Sequence, residues 1–363
     1  MRSSQPTSDR HMDQRQAIEI LSGRRRGAAA GALRAGTWVL SKPYAGLMRL
    51  RRGLYRIGVL GSRRAPVPVI SVGNLTTGGT GKTPMVAWVI KRLKHLGCRP
   101  AILTRGYKAV GGRSDEAELL FQLTGCPVVV SADRASAAEA AAEAGADALV
   151  MDDGFQHQAL RRDLDIVLID ATEPFGFGHC LPRGLLREPP SALRAAGAIV
   201  ITRCDRVPRE AADALAARLA ALAPRATIHR AGHVPSAVVV SAGRHLPPAA
   251  LAGQKVCAFC GIGNPESFFA TLESAGATVV GRVAFDDHVA YGPEELERVR
   301  SAAAAGGAEV LVTTAKDRVK LEAAGFPLPL WTLQVEIGIN EGEAELADHL
   351  RRVVRIESHG APA

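Results

Sequence analysis

Aromatic residues are scarce in this sequence: they make up 4% of 363 residues, although 47% of the residues are hydrophobic. The apolar content therefore rests on Ala, Val and Leu, which excludes a disordered chain and suits a folded α/β protein. Cysteine is scarce too, and six in 363 residues exclude a disulfide scaffold. Two of them, Cys257 and Cys260, form a lone CxxC in KVCAFCGIGNP. With no redox βαβ context and no second ligand pair nearby, they read as buried strand-end cysteines. No apolar run approaches the ~20 residues needed to span a bilayer. SGRRRGAAAGALRAG superficially looks like a twin-arginine export signal, but its apolar part is short and broken by Arg34. Acidic residues are nearly missing from residues 1–65, where 3 Asp/Glu stand against 14 Arg/Lys, a net of +11. The remaining 298 residues carry 31 basic and 33 acidic groups, a net of −2. A nucleic-acid binder more often carries its positive charge on the folded body, interleaved with aromatics, so no nucleic acid is expected as partner. A basic segment beside a near-neutral body is the arrangement of an anchor at an anionic membrane surface.

At ~100–200 residues per domain the length allows two domains. Residues 1–35 read as a flexible tail, and 36–65 as an amphipathic, membrane-associated helix. Leu47, Leu50, Leu54 and Ile57 share one helical face, with Arg49, Arg52 and Arg56 opposite, and Trp38, Tyr44 and Tyr55 add rings of the kind found at headgroup level. The competing reading is a helix packed on its own domain with solvated arginines. From Pro66 the pattern is β/α alternation: VPVISVGN, AILTR, PVVVS, ALVMDDG, DIVLIDA and AIVITRCD are short apolar runs, with helical stretches between the earlier of them. Such runs imply a parallel sheet covered on both faces. Residues 225–250 read as a linker. KVCAFCGI, ATVVGRVAF, AEVLVTTAKD and LPLWTLQV then continue the alternation. The expected fold is thus α/β, with a parallel-sheet domain over 66–240 and a smaller α/β domain over 241–357.

SVGNLTTGGTGKTP, between an apolar strand and an amphipathic helix, has the context of a phosphate-binding P-loop. Gly81, Lys82 and Thr83 match the end of G-x-x-x-x-G-K-[ST], while Thr76 stands where the first glycine usually does. The nucleotide loop comprises Thr76, Thr77, Gly78, Gly79, Thr80, Gly81, Lys82 and Thr83. Its backbone N–H groups would point at the anion, Lys82 would reach the β/γ-phosphates of ATP, and the Thr83 hydroxyl would ligate Mg²⁺. ALVMDDGFQH agrees with this, because an apolar strand running into Asp152 and Asp153 can present a carboxylate to the metal's hydration shell. The sequence does not choose between the two acids. ITRCD, residues 201–205, is similar to the motif by which GTPases read guanine, except that Arg203 replaces the lysine.

Taken together, RAPVPVISVGNLTTGGTGKTP, TRGY, DDGFQH, LPRGLLREP, FCGIGNPESFF, FDDHVAY and TTAKDRVKL occur in the order found in the tetraacyldisaccharide 4′-kinases, the lipid A 4′-kinase family. The resemblance covers roughly residues 36–350. It implies a P-loop kinase domain, a smaller α/β domain with the site between them, and transfer of the γ-phosphate of ATP to the 4′-hydroxyl of tetraacyldisaccharide 1-phosphate, forming lipid IVA. It also implies a peripheral or monotopic position at the cytoplasmic face of the bacterial inner membrane. The protein is expected to be a monomer.

The resemblance further implies a carboxylate base paired with a histidine from the second domain; Asp115, in RSDEAE, and His288, in FDDHVAY, stand for these. Glu116 would lie near the Mg²⁺. Tyr107, Arg134, Gln156, His157, Arg187 and Glu188 match positions near the disaccharide and its phosphate, where arginines suit an anionic acceptor. Two departures stand out. The stretch from Tyr107 to Asp115 is shorter than the family's, and Ala315 replaces the glutamate of the usual T-E-K-D. Two alternatives remain: a P-loop GTPase or metallochaperone-like switch protein, which would prefer GTP and hold a metal, and a membrane-tethered ATP-binding scaffold without catalysis.

Overall fold

The strand β1 (Val69–Asn74) is buried along its whole length. It runs parallel to β4 (Ala148–Asp152) on one side and to β5 (Leu164–Asp170) on the other, with Ile70 opposite Val150 and Leu164. A central parallel strand covered on both faces must be almost wholly apolar, which is why this stretch reads as a continuous run. The computed structural model describes residues 18–106, 115–240, 244–286, 289–321 and 325–357.

Around β1 the sheet continues through β2 (Pro100–Thr104) and β3 (Val128–Val130) on the β4 side, and β6 (Ala198–Thr202) on the β5 side. The second lobe contributes β9 (Lys255–Cys260), β10 (Thr278–Ala284) and β11 (Val310–Thr314). Two long strands join the lobes. β7 (Thr227–Val239) pairs in parallel with β6 through its first residues and antiparallel with β12 (Leu330–Glu341) through the rest. β12 pairs in parallel with β11 at its start. Together with the short β8 (His245–Leu246) these strands form one twelve-stranded sheet among the described residues, ordered β10-β9-β11-β12-β7-β6-β5-β1-β4-β2-β3, with β8 on β7.

The segment read as a linker is therefore mostly strand. Its Pro235 sits at a register shift in the β7–β12 ladder, where a missing N–H costs least. After β12 the helix Glu343–Glu357 returns to the first lobe. Leu346, Leu350 and Val353 join Ile70, Val86, Leu93 and Val150 in one hydrophobic cluster. A further contact between the lobes comes from Arg206, which donates to Ser267 O at 2.9 Å.

The N-terminal helix spans Ala28–Arg56. Its inward stripe is Ala30, Ser41, Tyr44, Ala45, Met48, Arg51, Arg52 and Tyr55, and Leu54 is half-buried. Leu47, Leu50 and Ile57 point outward, at 57%, 59% and 67% exposure. The expected leucine and arginine faces do not separate cleanly: Arg49 and Arg56 are exposed like Leu47 and Leu50, and Arg52 turns toward the protein. It pairs with Glu188 and lies 4.7 Å from the centre of the Phe155 ring. No described helix is long and apolar enough to cross a membrane.

Because Leu350 is fully buried in the first lobe's cluster, Leu350→Ala is expected to cost about 2–5 kcal/mol of stability. Denaturant unfolding followed by a fluorophore in the first lobe checks this; an unchanged midpoint would mean that the helix is not part of that core.

Candidate functional site

The loop after β1 ends at Gly81, which adopts φ 93° immediately before the helix Lys82–His95. That left-handed conformation favours glycine. No side chain caps this helix, so its first N–H groups are available to an anion. The loop is flanked by the segment around Leu185. Thr77 N donates to Leu185 O at 2.8 Å, and Arg187 N donates to Leu75 O at 2.9 Å. Thr76 forms an antiparallel bridge with Leu186, a pairing any residue can adopt, so the motif's first glycine is dispensable here. Gly73 allows a close approach on the other side: a Cβ there would lie 2.7 Å from Phe155 Cβ, in DDGFQH.

Three charged groups from three segments meet at this end of the sheet. Lys82 Nζ lies 3.5 Å from Asp153 Oδ1, and Arg187 Nη1 donates to Asp153 Oδ2 at 2.7 Å. Lys82 also donates to Asn74 Oδ1 at 3.4 Å. Burial pushes the Asp153 carboxyl up, but Lys82 and Arg187 outweigh it and hold the group below the usual carboxylate range. Asp152 behaves in the opposite way. Its burial, followed by the Glu116 charge, pushes it up to about 7 against the pull of Lys82. Its Oδ1, like Oδ1 of Asp153, is buried and has no hydrogen-bond partner among the described residues. The two adjacent acids differ because Asp152 ends β4 facing inward, whereas Asp153 leaves the strand at φ 51° and reaches the cations. A buried carboxylate with an unfilled oxygen, near a second carboxylate, has the donor chemistry of a hard-cation site.

Arg134 is also buried. Its Nη1 donates to Asp152 O at 3.0 Å, anchoring the helix Arg134–Glu143 to the end of β4. Gln156 Nε2 donates to Asn74 O at 2.8 Å. His157 is pushed down to about 4, first by burial and then by Arg134, Arg162, Arg51 and Arg105, so its imidazole is neutral at pH 7. Asp115 and Glu116 begin the helix Asp115–Thr124, with Asp115 exposed and Glu116 half-buried. Thr83 is half-buried in the first turn after Gly81. Glu188 is buried and faces Arg52 of the N-terminal helix. Tyr107 and His288 lie outside the described residues.

Several participants escaped the sequence reading. Asn74, the last residue of SVGN, bonds both Lys82 and Gln156. Arg203 and Asp170 pair behind the loop. In the second lobe Asp317, of TTAKD, is fully buried, and its Oδ2 accepts from Gly261 N at 3.0 Å and from Thr314 Oγ1 at 2.7 Å. Lys320 Nζ donates to Val289 O at 3.2 Å, fixing one flank of FDDHVAY. Each of these residues lies inside a quoted stretch, and only Arg203 is marked there, as the departure from a guanine-reading motif. Ala315 begins the short helix Ala315–Arg318 and is half-buried; nothing else in the structure explains it. Cys257 and Cys260 are buried in β9, and burial pushes their thiols up to about 11 and about 12, far from the reactive range.

The model of the tetraacyldisaccharide-1-P 4′-kinase family matches residues 33–355. The tetraacyldisaccharide 4′-kinase of Anaeromyxobacter dehalogenans strain 2CP-C is 42% identical over 358 residues, covering 91% of this chain and 94% of that protein. The enzyme of the same name from Geobacter metallireducens is 41% identical over 304 residues, covering 78% and 87%. Among solved structures, LpxK from Aquifex aeolicus in complex with ATP is similar with a TM-score of 0.70 and 28% identity, covering 89% of this chain and 99% of that one.

A raised folded-state pKa has a definite sign. Asp152 binds its proton more tightly in the folded protein, so the carboxyl costs stability as pH rises from about 4, the unfolded value, to about 7. In chelator-treated protein, wild-type Tm should therefore fall relative to Asp152→Asn across that window. Parallel Tm profiles for the two proteins would contradict the assigned environment.

Proposed function

The chain belongs to the tetraacyldisaccharide 4′-kinase family, and we propose how its site performs that family's phosphoryl transfer. The enzyme is an ATP-dependent lipid kinase of lipid A biosynthesis that moves the γ-phosphate of ATP to the 4′-hydroxyl of tetraacyldisaccharide 1-phosphate, giving lipid IVA. The observation that carries the site assignment is Lys82 poised between Asn74 and Asp153 beneath the phosphate loop. Phosphoryl transfer asks the protein chiefly for positioning and for charge placed where negative charge develops.

In this reading the N–H groups of Gly78–Thr83 hold the triphosphate, and Lys82 shifts from Asp153 to the β/γ-phosphates. Each acid keeps one oxygen without a hydrogen bond, but Asp153 is ion-paired to Lys82 and Arg187, so Asp152 is the better metal ligand of the two. Thr83 and Glu116 would complete the protein's share of a Mg²⁺ site. Bound there, Mg²⁺ would neutralise charge on the transferring phosphoryl group. Asp115 stands as the base that takes the proton from the sugar hydroxyl. The helix Ala315–Arg318 packs against the helix that Asp115 begins, and His288 of FDDHVAY is assigned as the partner of Asp115. Arg134, Gln156, His157, Arg187 and Tyr107 are assigned to the anionic acceptor, whose 1-phosphate suits arginine. Glu188 contributes through Arg52, by seating the N-terminal helix against the site. The GTPase and metallochaperone reading loses its two supports, since Arg203 turns its guanidinium to the loop and the CxxC thiols are buried.

The outward apolar stripe of the N-terminal helix, with the arginine-rich surroundings, supports a peripheral position on an anionic leaflet at the cytoplasmic face of the inner membrane. A lipid acceptor would then reach the site along the membrane surface.

Supplying labelled ATP with a tetraacylated disaccharide 1-phosphate should yield a bisphosphorylated product. Lys82→Ala is expected to abolish transfer, and Asp115→Ala to lower turnover by about 10²-fold or more while ATP affinity changes little. Full activity in either variant would remove the role given to that residue. Separately, Leu47→Glu combined with Leu50→Glu should weaken sedimentation with anionic vesicles and leave transfer to detergent-dispersed substrate intact; undiminished sedimentation would refute the membrane face.

A further inference from the structure

The ITRCD stretch resembles a base-reading motif, yet its side chains point elsewhere. Arg203 Nη2 donates to Gly79 O at 2.7 Å, and Thr202 Oγ1 donates to Thr80 O at 3.1 Å. Two consecutive carbonyls of the phosphate loop are thus held by two consecutive residues at the end of β6. The other side of the Arg203 guanidinium pairs with Asp170, at the end of β5. Asp170 is itself fixed by Thr172, whose N and Oγ1 donate to it at 2.9 and 2.7 Å. Thr202 is fully buried, and Arg203 is 8% exposed.

From this geometry we infer that Thr202 and Arg203 are positioning residues for the phosphate-binding N–H groups, with Asp170 holding the arginine. In a planar trans peptide the C=O and the following N–H point in opposite directions. Fixing the carbonyls of Gly79 and Thr80 toward β6 turns the N–H groups of Thr80 and Gly81 the other way, into the concavity of the loop. Gly79 has no Cβ to restrict its peptide plane, so the orientation must come from outside the loop. Arg203 is held at φ 57° with its charge buried, an arrangement costly for a non-glycine residue and sustained only by its surroundings. A lysine there would present a single nitrogen, whereas the forked guanidinium bonds the loop and Asp170 together. The brace acts on nucleotide and not on the lipid acceptor, because neither residue approaches the Asp115 or Arg134 side of the site among the contacts described.

This inference rests on the kinase reading only in taking ATP as the nucleotide, and the test separates the two. Titration calorimetry of ATP into the full chain, without glycolipid, is run on wild type, Arg203→Gln, Arg203→Lys and the shape-matched Thr202→Val. Arg203→Gln should raise the Kd and the KM for ATP by about tenfold, and Thr202→Val by about threefold. The KM for the glycolipid should stay within about twofold, and Arg203→Lys should recover part of the loss. If Arg203→Gln fails to fold, Thr202→Val decides. ATP Kd values unchanged in the folded variants overturn the brace while the kinase reading stands. Equal rises in both KM values also overturn it, as the mark of a general structural role. A wild-type protein that binds no ATP overturns the kinase reading and the brace with it.

Discussion

Lys82, Asp153 and Arg187 come from a helix start, a strand end and a loop, and their ion pairs draw these three segments to one point. Much of the site is organised about that point. The strand order sets β1 between β4 and β5, so the phosphate loop and the acid pair emerge side by side. Arg187 belongs to the segment that pairs with Thr76 and Thr77, so the same residue that neutralises Asp153 helps to define the loop's outer wall. Neighbouring charges of both signs in a poorly solvated setting give each acid a distinct character. Asp153 is kept ionised by its cations, while Asp152, deeper and beside Glu116, retains its proton far above the ordinary carboxylate range.

Much of this was legible in the sequence. The central strands announce themselves as short apolar runs because both of their faces are buried, and the loop and the DDG turn are marked by glycine and acid at the strand ends. β7 was not legible. It offers no continuous apolar run, carries Gly232 and Pro235, and changes partner from β6 to β12 after its first few residues, so it looks like a connection rather than a strand. Periodicity marked the N-terminal helix but not which of its residues turn inward. The direction was decided by partners remote in sequence: Glu188 for Arg52, and the carbonyl of Gln156 for Arg51.

Asp152 and Asp153 could not be told apart from spacing because the distinction lies in one backbone dihedral, the positive φ at Asp153. Arg203 was visible as an anomaly, an arginine where a lysine is usual, but its meaning depends on the Gly79 carbonyl, 124 residues away in the chain. Asp317 was hidden for a similar reason. Its carboxylate knits GIGNP to TTAKD, and such convergence of loops is a property of the folded sheet and not of any local pattern.

The return of the helix Glu343–Glu357 has a consequence for biogenesis. Ile70 and Val86 are translated early, yet Leu346, Leu350 and Val353, which finish their cluster, leave the ribosome more than two hundred residues later. Over that interval the nascent first lobe carries an open greasy flank, and the outward stripe of the N-terminal helix is already made. Two apolar surfaces are thus open during synthesis, of which only one is sealed once that helix docks.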